Sequence, residues 1–156
     1  MYTPYEVTLT KEGYEFTTDT EIVYKLYFSS YYLTDEAGED VKVLSFGFYN
    51  VPETVHIKDP RIKETIVGFI KDFFDKNPDI GMLYLCDQKG DLARQRRIIF
   101  GSWHREVKNE IEKHDCKEHH ARQGYYSSLL IRSDNPLKQY YIDAFYRNLD
   151  EYLGEG

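Results

Sequence analysis

Apolar positions alternate at period two up to Tyr49 and recur at helical spacing from Pro60 onward, with solid apolar runs between the helical stretches. Tyr14-Glu15-Phe16 alternates, and Ile22, Tyr24, Leu26 and Phe28 share one face of a second strand. Thr18-Asp19-Thr20 supplies turn chemistry between them. Asp35 to Asp40 reads as an acidic hairpin tip, and Val43 to Tyr49 as a third strand with Leu44, Phe46 and Phe48 facing one way. Gly47 lies on the other face, where something packs closely or the strand bulges.

Asp59-Pro60 then sets a cap before the first helical position. Ile62, Ile66, Phe69, Ile70 and Phe73 follow as an amphipathic stripe, closed by Asn77-Pro78. Ile80 to Cys86 has no polar side, which predicts a central strand covered on both faces. A basic helix is predicted from Leu92 to about Lys113, a polar loop from His114 to Gln123, and a strand from Gly124 to Ile131. Asp134-Asn135-Pro136 opens a last helix with Leu137, Tyr141, Phe145, Leu149 and Tyr152 on its buried stripe. The order β-β-β-α-β-α-β-α predicts an α+β fold. An N-terminal antiparallel β-meander precedes alternating helices and strands, in a two-layer arrangement of sheet and packed helices. Residues 1–156 read as a single globular domain, with no repeat and no dividing linker.

Composition narrows the setting. Apolar content of 41% and charged content of 30% suit a soluble chain. No apolar run reaches the roughly 18 residues of a membrane span, and Met-Tyr-Thr-Pro-Tyr-Glu carries no secretory signature. Two cysteines, Cys86 and Cys116, form no disulfide framework. The expectation is a cytoplasmic protein with no membrane association. Residues 1–60 hold four Lys/Arg against eleven Asp/Glu and so carry the whole net charge of −7. That third is unsuited to a nucleic-acid backbone. Fifteen tyrosines read mostly as half-buried residues, with part of the excess available to a binding surface.

The strand, acidic turn and basic helix of residues 80–108 place charge at the C-terminal edge of a sheet, where open α/β sheets bind ligands. Rotating residues 91–113 by about 100° per residue gathers Leu92, Ile99, Phe100, Trp103 and Val107 on one face. Arg94, Arg97, Gly101, His104, Arg105 and Lys108 gather opposite. Gly101 costs that helix about 1 kcal/mol against alanine and bares backbone between basic side chains. These six residues are the candidate binding face; a solvated face with an incidental glycine is the competing reading. Arg96 falls amid the apolar face and needs a carboxylate, with Asp87 favoured over Asp91. Such a pair would fix the strand-to-helix corner. Alternatively, Asp87, Asp91 and Arg96 are catalytic candidates, as general base, metal ligand or anion clamp. His114, Cys116, His119 and His120 have metal-ligand composition, but their spacing matches no standard zinc pattern, and no metal or other cofactor is expected.

No P-loop, dinucleotide fingerprint, zincin helix or nucleophile elbow occurs. The strand, turn and helix at 80–100 superficially resemble the pyrophosphate loop of acetyltransferases. The likeness fails where that loop needs glycines, because Asp87 and Asp91 would repel the phosphates. Asp59-Pro60-Arg61-Ile62, Thr65-Ile66, Phe73-Phe74, Tyr84-Leu85-Cys86-Asp87, Arg94, Arg96-Arg97, Phe100, Asn135-Pro136 and Phe145 together look like a domain-of-unknown-function family of small bacterial proteins, best known from Bacteroidetes. The resemblance covers most of the chain. It implies a cytosolic single-domain protein and no particular activity. The functional expectation is a small interaction module whose basic face, residues 94–108, holds an acidic protein partner or a phosphate-bearing ligand. Nucleic acid ranks below protein because the chain is acidic, and the oligomeric state is open. The alternative is an enzyme acting on a phosphorylated or nucleotide-like anion at Asp87, Asp91 and the neighbouring arginines.

Overall fold

A computed structural model describes residues 2–52, 59–87, 101–118 and 125–153, with backbone alone for 85–87, 125, 152 and 153. Seven strands form one mixed sheet: β1 (Thr8–Thr10), β2 (Gly13–Thr17), β3 (Val23–Thr34), β4 (Asp40–Val51), β5 (Gly81–Asp87), β6 (Ile111–Asp115) and β7 (Tyr125–Arg132). Their order across the sheet is β1-β2-β3-β4-β5-β7-β6. All neighbours are antiparallel except β4 and β5.

The N-terminal meander follows from period-two patterning and turn chemistry. β3 and β4 pair along their full length, from Val23↔Val51 to Thr34↔Asp40, without a bulge. At their tip the Asp35 carboxylate accepts from the Ala37 and Glu39 amides, each at 2.9 Å, and Gly38 takes φ 80°. Gly47 packs closely, as its position suggested: a side chain there would meet the Tyr27 ring at 2.3 Å.

Because β4 and β5 are parallel, a crossover must join them. It contains helix α1 (Pro60–Lys76). Asp59 caps it by accepting from the Arg61 amide at 2.9 Å, with Pro60 in the first turn, where a missing N–H leaves nothing unpaired. The predicted stripe is inward, with Ile62, Ile66 and Ile70 buried and Phe69 and Phe73 packed at its margin. Phe74, fully buried, belongs to it too.

Strand alternation assigns the core. Leu26, Phe46, Met82, Tyr84, Ile111 and Leu130 line one face of the sheet under α1. Trp103 and Val107 of a further helix, α2, join them; its described part spans 101–107. Leu33, Val41, Val43, Leu83 and Leu129 line the other face under α3 (Lys138–Leu153). β5 is therefore buried on both sides, as its solid apolar run required. The α+β class holds, with strands leading, and α3 adds a layer beyond the two expected.

Three local expectations change. The basic helix does not continue to Lys113: residues 108–110 turn, and Ile111–Asp115 form β6, so His114 and Asp115 belong to a strand rather than to a loop. Leu137 is 54% exposed because it precedes α3 in a turn, where helical rotation does not apply. Its amide is instead held by the Asn135 side chain at 2.8 Å. Thr8–Thr10 adds a short edge strand that the sequence pattern did not single out.

Candidate functional site

β4 and β5 end at the same edge of the sheet. Their ladder covers Leu44↔Met82 to Phe46↔Tyr84, whereas β4 continues to Val51 and β5 to Asp87. β7 begins at that edge, with Tyr125 opposite Asp87, and β6 finishes near it, with Asp115 opposite Ser128. α2 lies on the same side of the molecule, because Trp103 and Val107 anchor it over the face carrying Tyr84 and Leu130.

That anchoring turns part of the basic face outward. Arg105 and Lys108 are exposed, and neither meets a carboxylate among the described residues. Their acidic neighbours point elsewhere. Glu106 accepts from Lys63 at 2.9 Å, and Glu110 lies 4.0 Å from Lys71, so both acids of this segment are engaged by α1. Several acids of the first 60 residues are also occupied away from this face. Glu12 and Glu15 flank Lys25, Asp19 pairs with Arg61, and Asp59 caps α1 and accepts from the Tyr5 hydroxyl.

Gly101 is half-buried, and the space where a Cβ would stand is open among the described residues. His104 departs from the expected exposure. It is half-buried, and its Nε2 lies 3.0 Å from the Ile111 carbonyl oxygen, so Nε2 carries the proton and donates. Burial pushes its pKa below the usual histidine value; the bond to Ile111 opposes this and the nearby Lys113 ammonium reinforces it. Neutral His104 thus ties α2 to β6 instead of adding charge to the face. Arg94 and Arg97 lie outside the described residues, as do Asp91 and Arg96. The side chain of Asp87 is likewise outside them, and with it the expected Asp87–Arg96 pair.

The same edge holds a polar row that sequence reasoning missed. Lys113, Asp115, Tyr126 and Ser128 project from β6 and β7 onto the α1 face, where Ile111 and Leu130 continue the core. The Lys113 side chain is only 8% exposed, and its ammonium donates to Asp115 Oδ1 and, at 3.1 Å, to the Tyr126 hydroxyl. Tyr126 and Ser128 donate to the same Oδ1 at 3.0 and 2.7 Å. Burial alone would raise the Asp115 carboxyl, but the hydrogen bonds from Lys113 and Ser128 outweigh it and hold the pKa below the usual range. Burial likewise opposes the Lys113 charge, and Asp115 and Tyr126 more than restore it. The row is thus a closed ion pair supported by two hydroxyls, not an open cation.

On the opposite face His114 Nε2 lies 2.9 Å from Glu112 Oε1, and Glu112 also accepts from Lys138 at 2.7 Å. Cys116 is buried. His119 and His120 lie outside the described residues, and among those described no group of three His, Cys, Asp or Glu is placed to hold a metal ion. At the far edge of the sheet, the β3–β4 tip and α3 enclose a cleft of about 400 Å³. Asp35, Glu36, Tyr140, Asp143 and Arg147 line it. Tyr140 donates to Asp35 at 2.6 Å and holds that carboxyl below its usual pKa.

No helix among the described residues is long and apolar enough to cross a membrane. No curated protein and no solved structure matches the chain. Residues 58–147, from just before the α1 cap to the middle of α3, match the family of unknown function DUF6169. That span includes α1, β5, α2, β6, β7 and the polar edge just described, and more than half of the chain. The resemblance read from Asp59-Pro60 to Phe145 therefore reaches its conclusion: the chain belongs to the family of unknown function DUF6169.

Proposed function

We propose that this protein is a small cytoplasmic interaction module that holds an acidic protein partner on the basic face of residues 94–108. One observation carries the reading. Arg105 and Lys108 stand exposed with no carboxylate among the described residues, while Glu106 and Glu110 are drawn off by Lys63 and Lys71. An exposed cation with no internal partner retains its full attraction for an incoming anion. Among the described residues no acid of the chain pairs with either cation, and Glu15, Asp19 and Asp59 of the N-terminal third engage Lys25, Arg61 and the α1 N-terminus. A protein partner ranks above nucleic acid because the net charge of −7 opposes a phosphate backbone.

The test is fluorescence anisotropy with a labelled oligoglutamate peptide. Wild type should bind, and Arg105→Glu with Lys108→Glu should abolish binding with the urea midpoint unchanged. Equal binding by both proteins would remove the reading. The competing reading is an enzyme acting on a phosphorylated or nucleotide-like anion. It centres on Asp87, Asp91 and the neighbouring arginines, and the polar row lies beside the end of β5 that carries Asp87. It ranks second because Lys113, the cation of that row, is already matched by Asp115.

A further inference from the structure

α3 covers only part of its side of the sheet. It packs over Leu33, Val41, Val43, Leu83 and Leu129. The same faces of β3 and β4 continue to Tyr27, Tyr49 and Val51, which are 44%, 45% and 49% exposed. The alternation has no bulge to interrupt it, so these residues form one open surface beside α3. Its geometry is specific. Tyr27 is opposite Gly47, and its ring lies over the glycine so closely that a Cβ there would sit 2.3 Å from Cζ. One ring face rests on backbone, and the rest of the side chain is partly open to solvent. The Tyr49 ring is 6.1 Å away, tilted by 55°. The next cross-strand row is Glu15, Lys25 and Tyr49. There the Lys25 ammonium is matched twice, by Glu15 at 3.2 Å and Glu12 at 3.8 Å, leaving this face with an excess of carboxylate.

We infer that this tyrosine-lined half of the sheet receives a basic, arginine-bearing segment of a protein partner. Aromatic faces attract cations, and a planar guanidinium stacks on tyrosine as a compact ammonium does not. Charge selects the same partner: Glu12 and Glu15 border the platform, and residues 1–60 carry the whole −7. A second copy of this chain is disfavoured, because two such faces would bring like charge together. This surface lies on the opposite side of the sheet from α2, so it is separate from the basic face and does not depend on it.

The experiment titrates octa-arginine and octa-lysine into the full chain at low salt. Wild type should prefer octa-arginine, and Tyr27→Leu with Tyr49→Leu should weaken octa-arginine binding about tenfold, because each lost cation–π contact is a modest term. The preference for arginine should disappear as well. Tyr49→Leu alone, which leaves the Tyr27–Gly47 packing intact, should show part of both effects and guards against misfolding of the double variant. Arg105→Glu with Lys108→Glu should leave the preference for arginine intact. Equal binding of the two peptides, unchanged by the tyrosine substitutions, would reduce the effect to diffuse charge and overturn the inference. Sedimentation showing a wild-type dimer that Tyr49→Leu dissociates would overturn it too, by making the face a contact between copies.

Discussion

Replacing Asp115 by alanine removes the acceptor on which three donors converge. It strands the Lys113 ammonium, which is 8% exposed, and leaves the Tyr126 and Ser128 hydroxyls without their carboxylate. Breaking a fully buried ion pair costs about 3–5 kcal/mol, and an exposed pair contributes at most about 1. Asp115 itself is 48% exposed, so water partly replaces what the substitution deletes. The expected loss is therefore about 2 kcal/mol, between the two limits. Urea melts at pH 7 should show a lower midpoint with an unchanged m-value, the mark of altered stability without altered compactness. The partner substitution matters as much. Removing both charges, with Lys113→Met and Asp115→Leu, should recover most of the loss, because the destabilisation comes from a stranded charge and not from a missing contact. A loss below about 0.5 kcal/mol in Asp115→Ala, or a double variant as unstable as the two single losses combined, would refute the argument.

Asp59→Ala should cost about 1 kcal/mol or somewhat more, because the residue caps α1 and accepts from Tyr5; a urea midpoint equal to wild type would contradict that. His104 makes the stability pH-dependent. Its folded pKa is depressed below the unfolded value of about 6.5, so its contribution is complete above that value and is lost as pH falls through the folded pKa. His104→Gln, which keeps a side-chain N–H, should flatten the decline in stability just below pH 6.5, read from melts at half-unit steps. Asp87→Asn and Arg96→Met should each lose about 3–5 kcal/mol if the corner pair expected from the sequence exists; losses under about 1 kcal/mol in both would dispose of it.

Most of the fold was legible because its signals were local and consistent. Asp59-Pro60 before a regular stripe located α1, and the unbroken run to Cys86 located a strand covered on both faces. β6 escaped for a physical reason. On its core-facing side only Ile111 is apolar, while Lys113 and Asp115 turn inward as a pair. A charged pair on the core-facing side erases the period-two contrast that marks a half-buried strand, so the stretch read as the end of a basic helix and the start of a polar loop. The same pair forms the polar row, and the feature that hid the strand is the one that makes this edge of the sheet unusual. Tyrosine counting was similarly blunt. Tyr24 and Tyr84 are core residues on the α1 face and Tyr27 and Tyr49 are surface ones on the other, a division set by strand alternation and by the part of that second face α3 leaves uncovered.

The claim that matters most is where the acidic partner docks. Amide shift mapping with unlabelled oligoglutamate added to ¹⁵N-labelled full chain reads this directly. Saturable shifts should centre on residues 94–108, be absent around Lys42 and Lys138, and shrink as salt rises, because exposed charge is screened over about 8 Å at physiological ionic strength. Shifts centred on Lys42 or Lys138, or none at all at low salt, would contradict the account.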